Sequence, residues 1–147
     1  MKIIFVCHGS ICRSPAAEML FRQEAERRGV SSLFEVSSKA LSSEEISNPI
    51  YPPMKRELNK QKVKLYPHES YWLTQKELDE CDYLFYMDYE NKRRLERYFH
   101  NLSKCLPVFY FSPGIVEIED PWYSGNYALV VEELRQCVKD ILDNILK

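Results

Sequence analysis

Hydrophobic and polar positions fall in alternating blocks along this chain. "KIIFV" (2–6) is continuously apolar after its lysine, the pattern of a strand buried on both faces. A helical stretch follows, with Ser14 placed to cap it, Pro15 at its first position and Gly29 ending it. "FEVSSKA" (34–40) reads as a second strand, "PPMKRELNKQ" (52–61) as a helix entered through prolines, and "TQKELDEC" (74–81) as a short helix. "DYLFYM" (82–87) is a third strand with a helix behind it, "DYENKRRLERYF" (88–99). "CLPVFYF" (105–111) is a fourth strand weakened by Pro107. A long loop covers 112–125. Val130, Leu134, Cys137, Val138, Ile141 and Ile145 then recur at helical spacing in a last helix, 126–146. This order predicts an α/β fold: a central four-stranded parallel sheet in three layers, flanked by helices on both faces. Ligands of such sheets lie at the carboxyl ends of the strands, where Cys7 and Arg13 fall.

Length and composition narrow the picture. The 147 residues, 45% hydrophobic and 29% charged, suit one domain (1–147) with one substantial core. A formal net charge of −2 recruits neither nucleic acid nor an anionic membrane. No apolar run approaches the roughly 20 residues of a membrane-spanning helix. The first ten residues lack the apolar length and cleavage site of a signal peptide, so a cytoplasmic protein is expected. Five cysteines, odd in number and widely spaced, are then reduced thiols rather than a disulfide framework.

The chemistry concentrates in "CHGSICR" (7–13), between a buried strand and a helix N-terminus. A loop in that place turns backbone N–H groups toward one point, Gly9 gives it conformational freedom, and the helix adds about half a positive charge. Such a cradle suits a tetrahedral oxyanion, with phosphate as the natural case. Arg13 adds a planar fork for two phosphate oxygens. Cys7 points into the same field and is expected to ionise easily. A thiolate and a guanidinium on one anion-binding loop can attack phosphorus while holding its equatorial oxygens, giving a phosphocysteine intermediate. As plain structure, the same residues are a buried cysteine and a surface arginine. A zinc site at Cys7, His8 and Cys12 lacks a fourth ligand and the usual spacing. No metal and no cofactor are expected.

"VCHGSICRSPAAE" resembles the signature of the low-molecular-weight protein tyrosine phosphatases, as bacterial members carry it. "YMDYEN" (86–91), "EDPWYSG" (119–125) and "EEISNPIYPPMKREL" (44–58) resemble further segments of that family, so the likeness spans the chain. The resemblance implies hydrolysis of phosphotyrosine in protein substrates by a protein expected to be monomeric. His8, Gly9, Ser10, Ile11, Cys12 and Ser14 would complete the phosphate-binding loop. A tyrosine leaves as a phenolate and needs a proton donor, and Asp120, fixed by Pro121 within a long loop, is the candidate. The resemblance gives it that role, then the role of base. It also implies that Ser14 stabilises the Cys7 thiolate, that Trp122 and Tyr123 form the rim around an aromatic substrate, with Tyr51 a further candidate, and that Cys12 is a redox partner of Cys7. Ser37 and His68 match the residues that brace the loop.

Departures from the family pattern are visible too. Ser10 stands where asparagine is usual, at a left-handed backbone turn that serine holds less well. "IYPP" (50–53) lacks the Asp and Arg of the usual Asp-Pro-Arg. Ile11 stands where members acting on phosphoarginine carry threonine, which favours phosphotyrosine. An arsenate reductase of the same fold needs two further cysteines close together near the third strand, whereas Cys81 is followed only by Cys105. A non-catalytic phosphopeptide binder is the alternative of a different class, and both Cys7 and Asp120 being present speaks against it. Cys81, Cys105 and Cys137 read as core thiols, "KRELNKQKVK" (55–64) as a solvated helix face, and Asp88 and Asn91 as caps of the helix after the third strand, with contact to the catalytic loop a lesser reading.

Overall fold

The computed structural model describes residues 1–147. Strand β1, Lys2–Cys7, lies inside a four-stranded parallel sheet of order β2-β1-β3-β4, with β2 at Glu35–Ala40, β3 at Tyr83–Tyr86 and β4 at Cys105–Pro107. Its register sets Ile3 against Val36 on one side and against Tyr83 on the other. Successive side chains leave opposite faces, so Ile3, Phe5 and Cys7 join one core while Ile4 and Val6 join another. The larger core lies under α1 (Arg13–Arg27) and α6 (Tyr127–Ile145), with α2 (Pro52–Lys60) adding Met54 and Leu58. The smaller one lies under α3 (Gln75–Glu80) and α4 (Tyr89–Tyr98), through Leu78 and Leu95. A four-residue helix, α5 (Pro121–Ser124), interrupts the long loop before α6. No helix is long and apolar enough to cross a membrane.

The expected elements are all present, with two corrections. Ser14 does not cap α1: Cys12 precedes the first helical residue, no side chain bonds to the free amides there, and Ser14 is already inside the helix. Pro15 is therefore its third residue, while Gly29, at φ +72°, closes it as expected. The fourth strand stops at Pro107 instead of reaching 111. Pro107 is tolerated because its nitrogen faces away from β3, and the last ladder bond is Val108 N–H to the Tyr86 carbonyl at 2.7 Å; β3 ends there and the chain turns at once, Tyr110 N–H returning to the Pro107 carbonyl.

Local ends are well satisfied. Thr74 and Glu77 form a reciprocal capping box on α3. At its other end Lys104 Nζ donates to the carbonyls of Leu78, Asp79 and Cys81, all within 3.2 Å. That single ammonium closes α3 against the strand that follows it. Lys104→Ala is expected to lower stability by about 1–2 kcal/mol, read as a lower urea midpoint with unchanged slope. An unchanged midpoint would remove this role.

Candidate active site

The turn from β1 into α1 is held by its carbonyls. Cys7 O and His8 O accept from Leu41 N–H at 3.1 and 3.2 Å, and His8 O also from the Ser42 hydroxyl at 3.0 Å. Gly9 O accepts from the Ser70 hydroxyl at 2.6 Å and Ser10 O from His68 Nε2–H at 2.6 Å. Ile11 O accepts from Tyr51 N–H at 2.8 Å and Cys12 O from Ala16 N–H at 3.1 Å. In a planar trans peptide the C=O and the next N–H point opposite ways. Six carbonyls tied on one side therefore turn six amides, His8 to Arg13, the other way. Those six amides donate to no acceptor in the protein. The next, Ser14 N–H, is directed at Cys7 Sγ, 3.4 Å away. The result is a concave set of donors around a thiol at a helix N-terminus, suited to a tetrahedral anion.

Ser10 makes the sharpest bend, at φ +54°, fully buried. The left-handed turn thus falls at position 10, as expected, and Gly9 beside it has no positive φ. A side chain at Gly9 would bring its Cβ to 3.1 Å from Glu45 Cγ, a tight contact that the Glu45 side chain would have to relieve. Serine at the bend costs on the order of 1 kcal/mol. Its surroundings offset that: its carbonyl holds His68, and its hydroxyl accepts from Ser14 Oγ at 2.9 Å. Cys7 Sγ lies 3.2 Å from Ser14 Oγ, so the three side chains form one buried line.

The brace behind the loop runs through Ser38, not Ser37. Ser38 Oγ donates to Glu18 Oε1 at 2.8 Å and lies 3.3 Å from His68 Nδ1, while Glu18 also accepts from Arg22 Nε at 2.9 Å. Ser37 makes no hydrogen bond to the loop and faces the opposite side of β2. One residue along a strand reverses the face, which is the reason for the error.

Arg13 is buried, and its Nη1 donates to Asp88 Oδ2 at 2.7 Å and to Ile118 O at 2.8 Å. Burial works against its charge, but Cys7 and Asp88 outweigh it and raise its pKa. Asp120 lies on the other side of the fork, its Oδ2 3.7 Å from Arg13 Nη2, while its Oδ1 accepts from Trp122 N–H. Asp88 also caps α4 by accepting from Asn91 N–H at 2.8 Å, so one carboxylate anchors a helix and orients the guanidinium. Burial, and then the neighbouring Cys7, push the Cys12 thiol far up, which keeps Cys12 protonated beside it. Cys81 and Cys105 do not line the cavity, and burial pushes Cys105 up to about 12.

The cavity joins Cys7, His8, Gly9, Ile11, Cys12 and Arg13 at its floor to Asp120, Trp122 and Tyr123 on one wall and Glu44 and Glu45 on the other. Tyr51, expected at the rim, does not line it. Its ring lies behind Trp122, centroids 4.7 Å apart. His8 Nε2 pairs with Glu44 at 2.9 Å. Of the functional set, Ser38, Ser42, Ser70 and the two glutamates were not singled out from the sequence, whereas Asp88 caps the helix after the third strand as expected and also meets Arg13 of the loop, the lesser of its two expected roles. The signal of Asp88 is its place just beyond a strand, on the ligand side of a parallel sheet. The serines and glutamates carry none.

Known proteins give the same picture. The family model for low molecular weight phosphotyrosine protein phosphatase matches residues 2–147. The low molecular weight protein-tyrosine-phosphatase YfkJ of Bacillus subtilis is 28% identical over 100% of this chain and 97% of its own. The human low molecular weight phosphotyrosine protein phosphatase is 34% identical over 94% of this chain and 89% of its own. Among solved structures, YfkJ superposes with a TM-score of 0.95 at 26% identity, covering 99% of this chain and 94% of its own. The YwlE arginine phosphatase, in a mutant with a phosphorylated active-site serine, superposes with a TM-score of 0.86 at 26% identity, covering 100% of this chain and 97% of its own.

The brace separates two adjacent serines. Ser38→Ala, which strips a partner from buried Glu18, is expected to cost about 1–3 kcal/mol in urea unfolding and to weaken phosphate binding. Ser37→Ala is expected to change neither by a measurable amount. Equal effects of the two would refute the assignment.

Proposed function

The chain belongs to the low molecular weight phosphotyrosine protein phosphatase family, and on that premise we propose that its 147 residues act as one domain that hydrolyses phosphotyrosine in proteins through a phosphocysteine. The observation that carries this reading is the set of six unbonded amides around Cys7 and Arg13. The phosphoryl oxygens bind to those amides and to the Arg13 fork. Cys7 Sγ attacks as the thiolate, forming the S–P bond as the P–O bond to the tyrosine breaks. Ser14 turns its hydroxyl proton from Ser10 to Sγ and so stabilises the sulfur anion. Asp120, in its acid form, protonates the departing phenolate. The resulting carboxylate then takes a proton from water as the water oxygen attacks phosphorus, and the S–P bond breaks to release phosphate and restore the thiolate. The phosphorylated active-site serine in the YwlE mutant supports covalent transfer on this fold.

Ile11, at the cavity floor, presents only apolar surface. Trp122 and Tyr123 give the flat wall that a phenyl ring needs. Both features favour an aryl phosphate over phosphoarginine. The opposite wall is acidic, and no lysine or arginine lines the cavity beyond Arg13.

Hydrolysis of p-nitrophenyl phosphate and of a phosphotyrosine peptide is expected to resist chelator, to vanish in Cys7→Ser, and to fall about 10²–10⁴-fold in Asp120→Ala on the peptide. A phosphoarginine peptide is expected to be turned over far more slowly. Wild-type protein that binds phosphate without turnover would show the phosphatase reading to be wrong, and an Asp120→Ala variant as active as wild type would remove the acid.

The acidic wall makes a second prediction. Peptides with lysine beside the phosphotyrosine are expected to exceed those with glutamate about three- to tenfold in kcat/KM at low salt. The preference is expected to shrink in Glu44→Gln/Glu45→Gln and at high salt, with p-nitrophenyl phosphate unaffected. Equal rates on the two peptides would remove this role of the wall.

A further inference from the structure

Tyr51 touches both halves of the site. Its backbone N–H donates to the Ile11 carbonyl of the phosphate loop at 2.8 Å. Its ring lies against Trp122, centroids 4.7 Å apart and planes at 47°. Trp122 in turn gives its N–H to Asp120 Oδ1 at 3.0 Å. The segment bearing the acid is short: α5 has four residues and ends at Gly125, φ +76°. Within it only Pro121 is buried, while half of Trp122 and 86% of Tyr123 are exposed. Little inside this turn fixes its height above the floor. Tyr127 stands at the head of α6. Burial, with Cys12, Tyr51 and Asp120 nearby, pushes its phenol up to about 12, so it stays neutral.

We propose that the Tyr51 ring is a positioning group for Asp120: by seating Trp122 it holds the carboxyl over Cys7 where it can protonate the leaving oxygen. This rests on the acid role proposed above for Asp120. Tyr51 itself does not line the cavity, so it acts only through Trp122. Its hydroxyl makes no hydrogen bond, so the ring face carries the effect and phenylalanine can replace it. Its amide, which ties the loop, survives any substitution but proline.

The test is kcat/KM, which reports formation of phosphocysteine, across aryl phosphates graded from 2,4-dinitrophenyl to phenyl. Acid assistance matters most for the poorest leaving group. Tyr51→Ala is expected to lose about five- to tenfold on phenyl phosphate and less than about twofold on the dinitrophenyl ester. Tyr51→Phe is expected to match wild type, and inhibition by inorganic phosphate to be unchanged in both, which shows the floor intact. In Asp120→Ala, adding Tyr51→Ala is expected to cost nothing further on phenyl phosphate. An equal loss across the series, no loss, or failure of Tyr51→Phe to restore the rate would overturn the seat. Asp120→Ala separates the two readings. If it is selective for poor leaving groups while Tyr51→Ala is not, the seat alone falls. If it shows no such selectivity, both fall.

Discussion

Peptide planarity is the constraint on which the site depends. A loop cannot aim six amides at one point by itself, because nothing in an isolated chain stops a peptide plane from rotating. Here five of the six planes are fixed from behind, through their carbonyls, by donors that belong to other parts of the fold, and the sixth by Ala16 in the first turn of α1. Leu41 and Ser42 come from the end of β2, Tyr51 from the head of α2, and His68 and Ser70 from the strap that runs back to the sheet edge at Trp72. The cradle is thus a product of tertiary structure, and the anion-binding donors need not reorganise when charge arrives. The left-handed bend at Ser10 is tolerated for the same reason: its surroundings over-determine it.

Arg13 depends on the same architecture. A buried guanidinium is costly unless its donors are met, and two of them are, by Asp88 and by the Ile118 carbonyl. Both partners lie on one edge of the fork. The geometry therefore fixes the plane of the guanidinium while leaving the Nη2 side toward Asp120 and the cavity. A lysine ammonium, a rotating point charge, could not be held in this way. Asp88 does this from the turn after β3 while capping α4, so the sheet's ligand side supplies Cys7 from the end of β1 and the orienting carboxylate from just beyond β3.

How much of this could be read from the sequence depends on the range of each signal. The strand β1, the loop with Cys7 and Arg13, and Asp-Pro at 120–121 are local patterns, and the structure brings their side chains to one cavity. Ser38 was missed by one residue, because identical neighbours in "VSSK" give no hint of which serine faces inward, and that choice is set by the register of β2 on β1. Ser14 was expected to cap α1 by its residue type. Its hydroxyl is instead spent between Cys7 and Ser10, a contact made by the loop's tertiary bend. Ser42, Ser70 and the amide of Tyr51 work by holding a carbonyl, a task any donor in the right place performs, so residue type is uninformative. The fourth strand was overextended because "VFYF" has β propensity, yet β3 ends at Tyr86 and the chain turns after the one bond from Val108 N–H to the Tyr86 carbonyl.

The site joins a stiff floor to a lightly held roof, and the proposed chemistry calls for both. The floor is buried and tied at every carbonyl from Cys7 to Cys12. It has one task throughout, to hold three equatorial oxygens while the bonds along the perpendicular axis exchange. The roof has two tasks in sequence, since the residue that gives a proton to the departing phenol must later take one from water, after the phenol has left by the same opening. A roof packed as tightly as the floor would obstruct that exchange. A roof with no seat would leave the carboxyl unplaced at the moment it is needed. A short turn that rests on the Tyr51 ring, one buried proline and the Arg13–Asp120 pair, ends at a glycine and carries an exposed Tyr123 lies between these limits. In this chain the seat is a tyrosine ring behind the wall, so the placement of the acid is set by a residue that never meets the substrate.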